Sequence, residues 1–126
     1  MSKRKLKPVL PSLKEKKRYL AFTVLSEGRF RGEDVSFSVD DAVASYIGVL
    51  GAGAAGARML ADSWDNEKQS GLIRVNNRYV DEVKSALTLI RTINGKETIF
   101  RSVGLSGILR KAKMYADGSK AAKRVM

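Results

Sequence analysis

The stretch Tyr19-Leu20-Ala21-Phe22-Thr23-Val24-Leu25 constrains the fold most, because it is rich in aromatic and β-branched residues and is entered directly from Lys14-Glu15-Lys16-Lys17-Arg18. Read as a strand, it places Leu20, Phe22 and Val24 on one face and Tyr19, Ala21, Thr23 and Leu25 on the other. The basic run must then sit at the margin of a sheet. A positive field anchored beside an ordered sheet suits a polyanion better than a free basic tail would.

The distribution of charge strengthens that reading. The chain of 126 residues carries a formal net charge of +11. Residues 1 to 20 hold eight Lys or Arg against one acid, and residues 101 to 126 hold seven against one. Residues 21 to 100 hold nine against eleven. Basic character lies at the two chain ends, and a fold that joins those ends gives one surface able to follow a phosphate backbone.

Composition also excludes chemistry. With no Cys and no His, the chain has no disulfide, thiolate metal site, cysteine nucleophile or histidine acid-base catalyst. The length allows one modest core. The start, MSKRKLKPVLP, lacks the apolar run of a signal peptide. No stretch approaches the ~20 apolar residues of a membrane span, so no membrane partner is expected, and the chain is expected in the cytoplasm.

In order along the chain, residues 1–13 carry Lys3, Arg4, Lys5 and Lys7 with Pro8 and Pro11, a flexible basic arm that orders on its partner. Residues 14–115 form a single domain and 116–126 a basic tail. After the first strand, Val35, Val39, Ala42, Val43, Tyr46, Ile47 and Leu50 recur at helical spacing on one face. Glu33 and Asp34 at the start of that helix suit its dipole. The glycines from Gly48 to Gly56 read as loop. That segment lacks both phosphate-cradling patterns, GxGxxG and GxxxxGK[ST], and serves as a tight helix-to-strand connection. Ala57 to Trp64 reads as a second strand, Asp65 to Lys68 as a polar hairpin turn, and Ser70 to Val75 as a third strand with Ile73 and Val75 on one face and Leu72 and Arg74 on the other. A second amphipathic helix is predicted from Tyr79 to Ile93, a turn at Asn94-Gly95, a fourth strand from Glu97 to Val103 with Phe100 inward, and a last helix from Leu105 to Tyr115 with Arg110, Lys111 and Lys113 on its basic side.

The order β-α-β-β-α-β plus a terminal helix predicts an α+β, ferredoxin-like split βαβ sandwich: an antiparallel four-stranded sheet, two backing helices and an additional C-terminal helix. The first strand is expected at the centre, between the third and fourth. Leu25, Leu72, Ile99 and Val103 then point away from the backing helices, an apolar surface for the terminal helix or a partner protein. Arg74 and Arg101 join the basic set on that side. The third strand carries no stacking aromatic, which disfavours base stacking across the sheet; Tyr19 is equally a structural or an RNA-facing aromatic.

The acids give no catalytic constellation. Asp40 and Asp41 are adjacent on a helix and point in different directions, Asp62 stands alone, and Asp65 and Glu67 are turn residues. No two-metal pattern links them, so no metal site is assigned.

Pro11 to Phe22, Leu25-Ser26-Glu27, Gly71-Leu72-Ile73-Arg74-Val75-Asn76 and Val103-Gly104-Leu105-Ser106-Gly107-Ile108-Leu109-Arg110-Lys111-Ala112 together resemble the family of archaeal ribonuclease P protein component 2, homologous to a small eukaryotic subunit of that enzyme. The resemblance runs from about Pro8 to Lys113. It implies a noncatalytic subunit that binds and organises ribonuclease P RNA, pairs with another protein subunit and meets precursor tRNA through the holoenzyme. A homodimer within the particle is left open. The holoenzyme removes the 5′ leader of precursor tRNA with magnesium that the RNA positions; the chain itself binds no cofactor. Lys14, Lys16, Lys17 and Arg18 match the family's basic approach to the first strand and are assigned phosphate contacts. Ser106 and Gly107 match its late Ser-Gly motif, a place of close approach by RNA or protein. Ile108 stands where the family often has threonine, so no hydroxyl contact is carried over there. Lys120, Lys123 and Arg124 extend past the family pattern and are read as solvated. The alternatives are a ribosomal or other structured-RNA-binding protein, and a protein-interaction domain whose basic charge is mainly solubilising.

Overall fold

The computed structural model describes residues 16–118; the arm at 1–13, Lys14, and the tail residues Lys120, Lys123 and Arg124 lie outside them. The chain enters at β1 (Lys17–Leu25) and continues into α1 (Gly32–Ala55), β2 (Arg58–Met59), β3 (Ser70–Asn76), α2 (Val80–Thr88), β4 (Thr92–Ile93), β5 (Lys96–Glu97), β6 (Ile99–Ser106) and α3 (Leu109–Asp117). The main sheet has the order β2-β3-β1-β6, and all its pairings are antiparallel. This is the ferredoxin-like arrangement, with β1 at the centre.

The alternation in β1 builds two cores. Leu20, Phe22 and Val24 meet Ile73, Val75 and Phe100 in the sheet and Val35, Val39, Val43, Val83 and Leu87 from α1 and α2. Phe22 stacks on Phe100 with ring centroids 5.6 Å apart, and its complete burial stabilises by about 1.5–3 kcal/mol. On the opposite face Ala21 and Leu72 are buried under Ala112 and Tyr115 of α3. Both faces of β1 are therefore dry, which explains the near-continuous apolar run.

Opposite the step from Ala21 to Phe22, β6 carries one extra residue: Ala21 pairs with Gly104 and Phe22 with Ser102. Val103 is thus a bulge residue, and it packs with the α3 cluster. The bulge resets the alternation, so that Leu105 joins the α1/α2 core. Leu105 is a strand residue here, and the last helix begins only at Leu109.

Four further expectations are corrected. The glycine-rich segment is helix as far as Ala55, with Gly56 as a left-handed cap at φ 60°; only Gly48, at φ 82° and ψ 167°, breaks the helix. That break ends the regular screw, so Leu50 does not continue the Val35, Val39, Val43 face and is 91% exposed; Tyr46 is also half exposed. The second strand is only Arg58–Met59, followed by a 3-10 turn at Ala61–Ser63. There the Ser63 hydroxyl donates to Leu60 O at 2.6 Å and accepts from Leu72 N at 2.9 Å, replacing the backbone partner that a longer strand would supply. Finally, α2 stops at Thr88, and Asn94-Gly95, both at positive φ, turn a small hairpin of β4 and β5. α3 runs through Asp117 to a left-handed Gly118.

Candidate nucleic-acid interface

Because β1 runs antiparallel to β3 and β6, its first residues lie beside the last residues of both. Lys17 pairs with Asn76, Arg18 with Val75, and Tyr19 with both Arg74 and Ser106. α3 starts three residues after Ser106, at Leu109. One end of the sheet therefore collects Lys16, Lys17, Arg18, Ser106, Gly107, Arg110 and Lys111.

Each of these positions has a local cause. Lys16 O accepts from Asn77 N at 2.7 Å, which fixes the chain as it enters the sheet. Lys17 Nζ donates to Asn76 Oδ1, while Asn76 Nδ2 donates to Ala54 O at 2.6 Å. The carboxamide thus ties the basic run to the last turn of α1. Arg18 is half-buried, and its Nε is a buried donor with no acceptor among the described residues. Its guanidinium reaches Gly107, where an added Cβ would sit 3.6 Å from Nη1. The Ser106 hydroxyl accepts from Ile108 N at 3.0 Å, a serine turn that redirects the chain into α3. No acid stands in the first turn of α3, and Arg110 and Lys111 are exposed there.

Arg74 lies next to this end, and the structure adds a residue that the sequence reading left out. Arg58 of β2 is directly opposite Arg74 in the sheet, and both are exposed. Like charges facing across strands are destabilising, and the Asp40 carboxylate near Arg58 offsets part of that cost. The signal was present in the sequence, since Arg58 sits in the segment read as the second strand.

Arg101 and Lys113 are not brought into the cluster. Arg101 pairs with Thr23, about 13 Å along β1 from Tyr19 at the usual rise per residue. Lys113 lines a groove with Asp62, Asp65, Glu67 and Asp117, at the far end of α3. Of the apolar surface residues, Leu72 and Val103 pack with α3, whereas Leu25 and Ile99, paired across β1 and β6, remain exposed. Tyr19 packs at the edge of the same α3 cluster.

Two carboxylates are set by their own surroundings. Asp65 Oδ1 accepts from Lys68 N at 3.0 Å and from Glu67 N at 2.9 Å, which holds its carboxyl below the ordinary value. Burial raises Asp40, with the charge of Arg58 opposing that rise. Among the described residues no three acids come together as a ligand set.

Residues 18–117 match the model of the Rpp14/Pop5 family. The chain belongs to that family. It is 40% identical over 103 residues to ribonuclease P protein component 2 of Thermococcus gammatolerans, covering 82% of this chain and 84% of the relative. The protein of the same name from Methanocaldococcus jannaschii is 34% identical over 119 residues, 94% of this chain and 86% of the relative. A chain in the cryo-EM structure of yeast ribonuclease MRP superposes with a TM-score of 0.57 at 12% identity, covering 94% of this chain and 96% of that one. This last likeness concerns the fold. The Rpp14/Pop5 match includes Arg18, the whole Ser106-Gly107 turn, Arg110 and Lys111, while Lys16 and Lys17 precede it.

Proposed function

We propose that this Rpp14/Pop5 member is a noncatalytic protein subunit of ribonuclease P that binds and organises the catalytic RNA during removal of the 5′ leader from precursor tRNA. The observation that carries the reading is the meeting of Lys16, Lys17 and Arg18 with Ser106, Gly107, Arg110 and Lys111 at one end of the sheet, because antiparallel pairing brings together segments some 90 residues apart in the chain. Several cations gathered on one margin of an ordered sheet position an RNA backbone without reading its sequence. The kinship to ribonuclease P protein component 2 supports ribonuclease P RNA as the RNA proposed.

The chemistry is assigned to magnesium held by the RNA. This chain contributes charge neutralisation and shape. Arg18 donates into the site from a half-buried position, and Arg58 with Arg74 extends the cationic surface toward the β2 edge of the sheet. Partner proteins and the tRNA substrate are met within the particle.

Precursor-tRNA cleavage by the reconstituted particle, with and without this chain and beside the chain alone, tests the reading. Rescue only in the presence of the RNA is expected. Full cleavage without the chain would move the assignment to another structured RNA, and cleavage by the chain alone would overturn the noncatalytic role.

A further inference from the structure

The face of the sheet under α3 is covered only in part. Ala21, Thr23 and Leu25 alternate outward along β1, and α3 buries Ala21. Past that point Thr23 pairs with Arg101 and Leu25 with Ile99. Leu25 is 45% exposed and Ile99 63%. Two aliphatic side chains thus stand side by side in water, at the end of the sheet opposite the basic margin. Glu27 and Glu97 border the same hollow, as do Arg91 and Lys96, and neither acid is in a salt bridge among the described residues.

The chain leaves α3 close to this pair. Ala116 and Asp117 line a groove with Ser70, and Ser70 pairs with Thr23. Lys68 Nζ donates to Asp117 O at 3.4 Å, which holds the helix end there. At the usual spacings, Leu25 lies about 8 Å from Ser70, and Ile99, one strand further, about 12 Å. Gly118, at φ 74° and ψ 28°, ends the helix in the left-handed region, so the residues after it depart from the helix axis. They are Ser119-Lys120-Ala121-Ala122-Lys123-Arg124-Val125-Met126, outside the described residues. The step from Gly118 to Val125 spans up to about 23–25 Å when extended, which reaches the exposed pair with slack.

Size decides between occupants. Two aliphatic side chains are a small part of the ~1,200–2,000 Å² that a stable interface buries, so they do not hold a second copy or a separate protein by themselves. A tethered segment is already present at an effective concentration in the millimolar range, and for it a small patch suffices. RNA is disfavoured by Glu27 and Glu97 beside the pair. We propose that residues 119–126 fold back from Gly118 and seat Val125 and Met126 on Leu25 and Ile99, with Lys123 and Arg124 turned toward Glu27 and Glu97. The Rpp14/Pop5 match ends at Asp117, so this latch is an addition of this chain and goes beyond the reading of the family. It closes the apolar end of the sheet. It also holds two cations about 20 Å from the basic margin, the length of β1 from Tyr19 to Leu25 at the usual rise, so that they meet acids instead of joining the RNA surface.

The chain has no cysteine, so a disulfide introduced into the whole chain reports the contact. Ile99→Cys with Val125→Cys is compared with Phe37→Cys with Val125→Cys, Phe37 being 72% exposed on α1 across the sheet. Under mild oxidation at micromolar protein, the first pair is expected to close an intramolecular disulfide about tenfold faster than the second, because seating raises the local concentration of one thiol at the other. Equal rates overturn the proposal, since a tail without a seat gives them. A first pair that joins two chains instead of closing within one overturns it in favour of a second copy. A separate reading needs no cysteine: Val125→Gln with Met126→Gln is expected to raise the binding of an apolar fluorescent dye, and adding Leu25→Gln and Ile99→Gln to abolish the rise. Dye binding that the tail variant leaves unchanged overturns the latch. Weaker ribonuclease P RNA binding by Leu25→Gln with Ile99→Gln also overturns it, by giving that face to RNA.

Discussion

Tyr115 of α3 lies directly over Gly104 of β6: a Cβ added to Gly104 would fall 2.2 Å from Tyr115 Cδ2 and 2.6 Å from Tyr115 Cβ. The missing side chain is the seat of the helix. Gly104 is paired with Ala21 and neighbours the bulge at Val103, so the backbone there is held and the ring has nowhere to go. Gly104→Ala is expected to destabilise the fold by about 1–3 kcal/mol, as overpacking in a tight core does. In a Tyr115→Ala background the same change should cost much less, because the clash is gone. Urea midpoints of the four proteins measure this coupling; equal midpoints for wild type and Gly104→Ala would refute the seat.

What the sequence revealed follows from where one pattern dominates. Leu20, Phe22 and Val24 alternate without interruption, and the structure buries all three. The ferredoxin-like order follows from the same alternation and from the helical spacing of Val35, Val39 and Val43. Misreadings arose where one residue changes the local rule. Gly48 alone interrupts α1, while Gly51 and Gly53 are accommodated in helix, so glycine content gave no indication of which position breaks. Ser63 ends β2 through hydroxyl bonds that no periodicity reveals. Val103 shifts the register by one and turns Leu105 inward. At the site, the clustering of basic residues at both chain ends was legible, but their meeting depends on antiparallel pairing. The pairing of Arg58 with Arg74 depends on register, which is invisible in a single strand.

The basic margin should show itself through salt. Replacing Lys16, Lys17 and Arg18 together with Gln is expected to weaken ribonuclease P RNA binding and to flatten the plot of log K against log salt by about 2–3, at roughly 0.7–0.9 for each phosphate no longer neutralised. A slope identical to wild type would remove these residues from the footprint. Circular dichroism is needed as a companion measurement, because Lys17 also bonds Asn76.

Asn76 is the structural half of that margin. It is 8% exposed and joins Lys17 to Ala54 O. Asn76→Ala leaves the α1 carbonyl without this donor, and an expected loss of about 1–3 kcal/mol follows from stranding a buried polar group. Thermal unfolding reads it; an unchanged Tm would show that water replaces the carboxamide without cost.

Arg58 should separate stability from binding. The like charges of Arg58 and Arg74 face each other across β2 and β3, a repulsion of about 0.2–1 kcal/mol that the nearby Asp40 carboxylate offsets in part, so Arg58→Gln made in an Asp40→Asn background is expected to stabilise the free protein. The same change removes a cation from the β2 edge of the sheet and should weaken RNA binding. Opposite signs in unfolding and in RNA titration are the expected pair of results. A variant that loses stability, or binds RNA as tightly as wild type, would contradict a placement made for an anion.

Asp65 gives a pH-dependent prediction with a determined sign. The backbone N–H groups of Lys68 and Glu67 hold its carboxyl below the ordinary value of 3.8, because they donate to the charged form. A group depressed in the folded state binds its proton more readily when unfolded. Its stabilisation is present above the ordinary value and is lost as pH falls through the lowered one. Asp65→Asn keeps an oxygen that accepts these two bonds but has no charge to titrate, so the variant should be less stable than wild type at neutral pH and converge on it in acid. Urea unfolding from pH 7 downward tests the convergence, and a constant gap would show that the turn does not depend on the charge. In the reconstituted particle at saturating magnesium the same variant is expected to cleave precursor tRNA at the wild-type rate, since the carboxylate is already engaged in its own turn. Selective loss of cleavage with folding and assembly intact would instead give Asp65 a role in the chemistry.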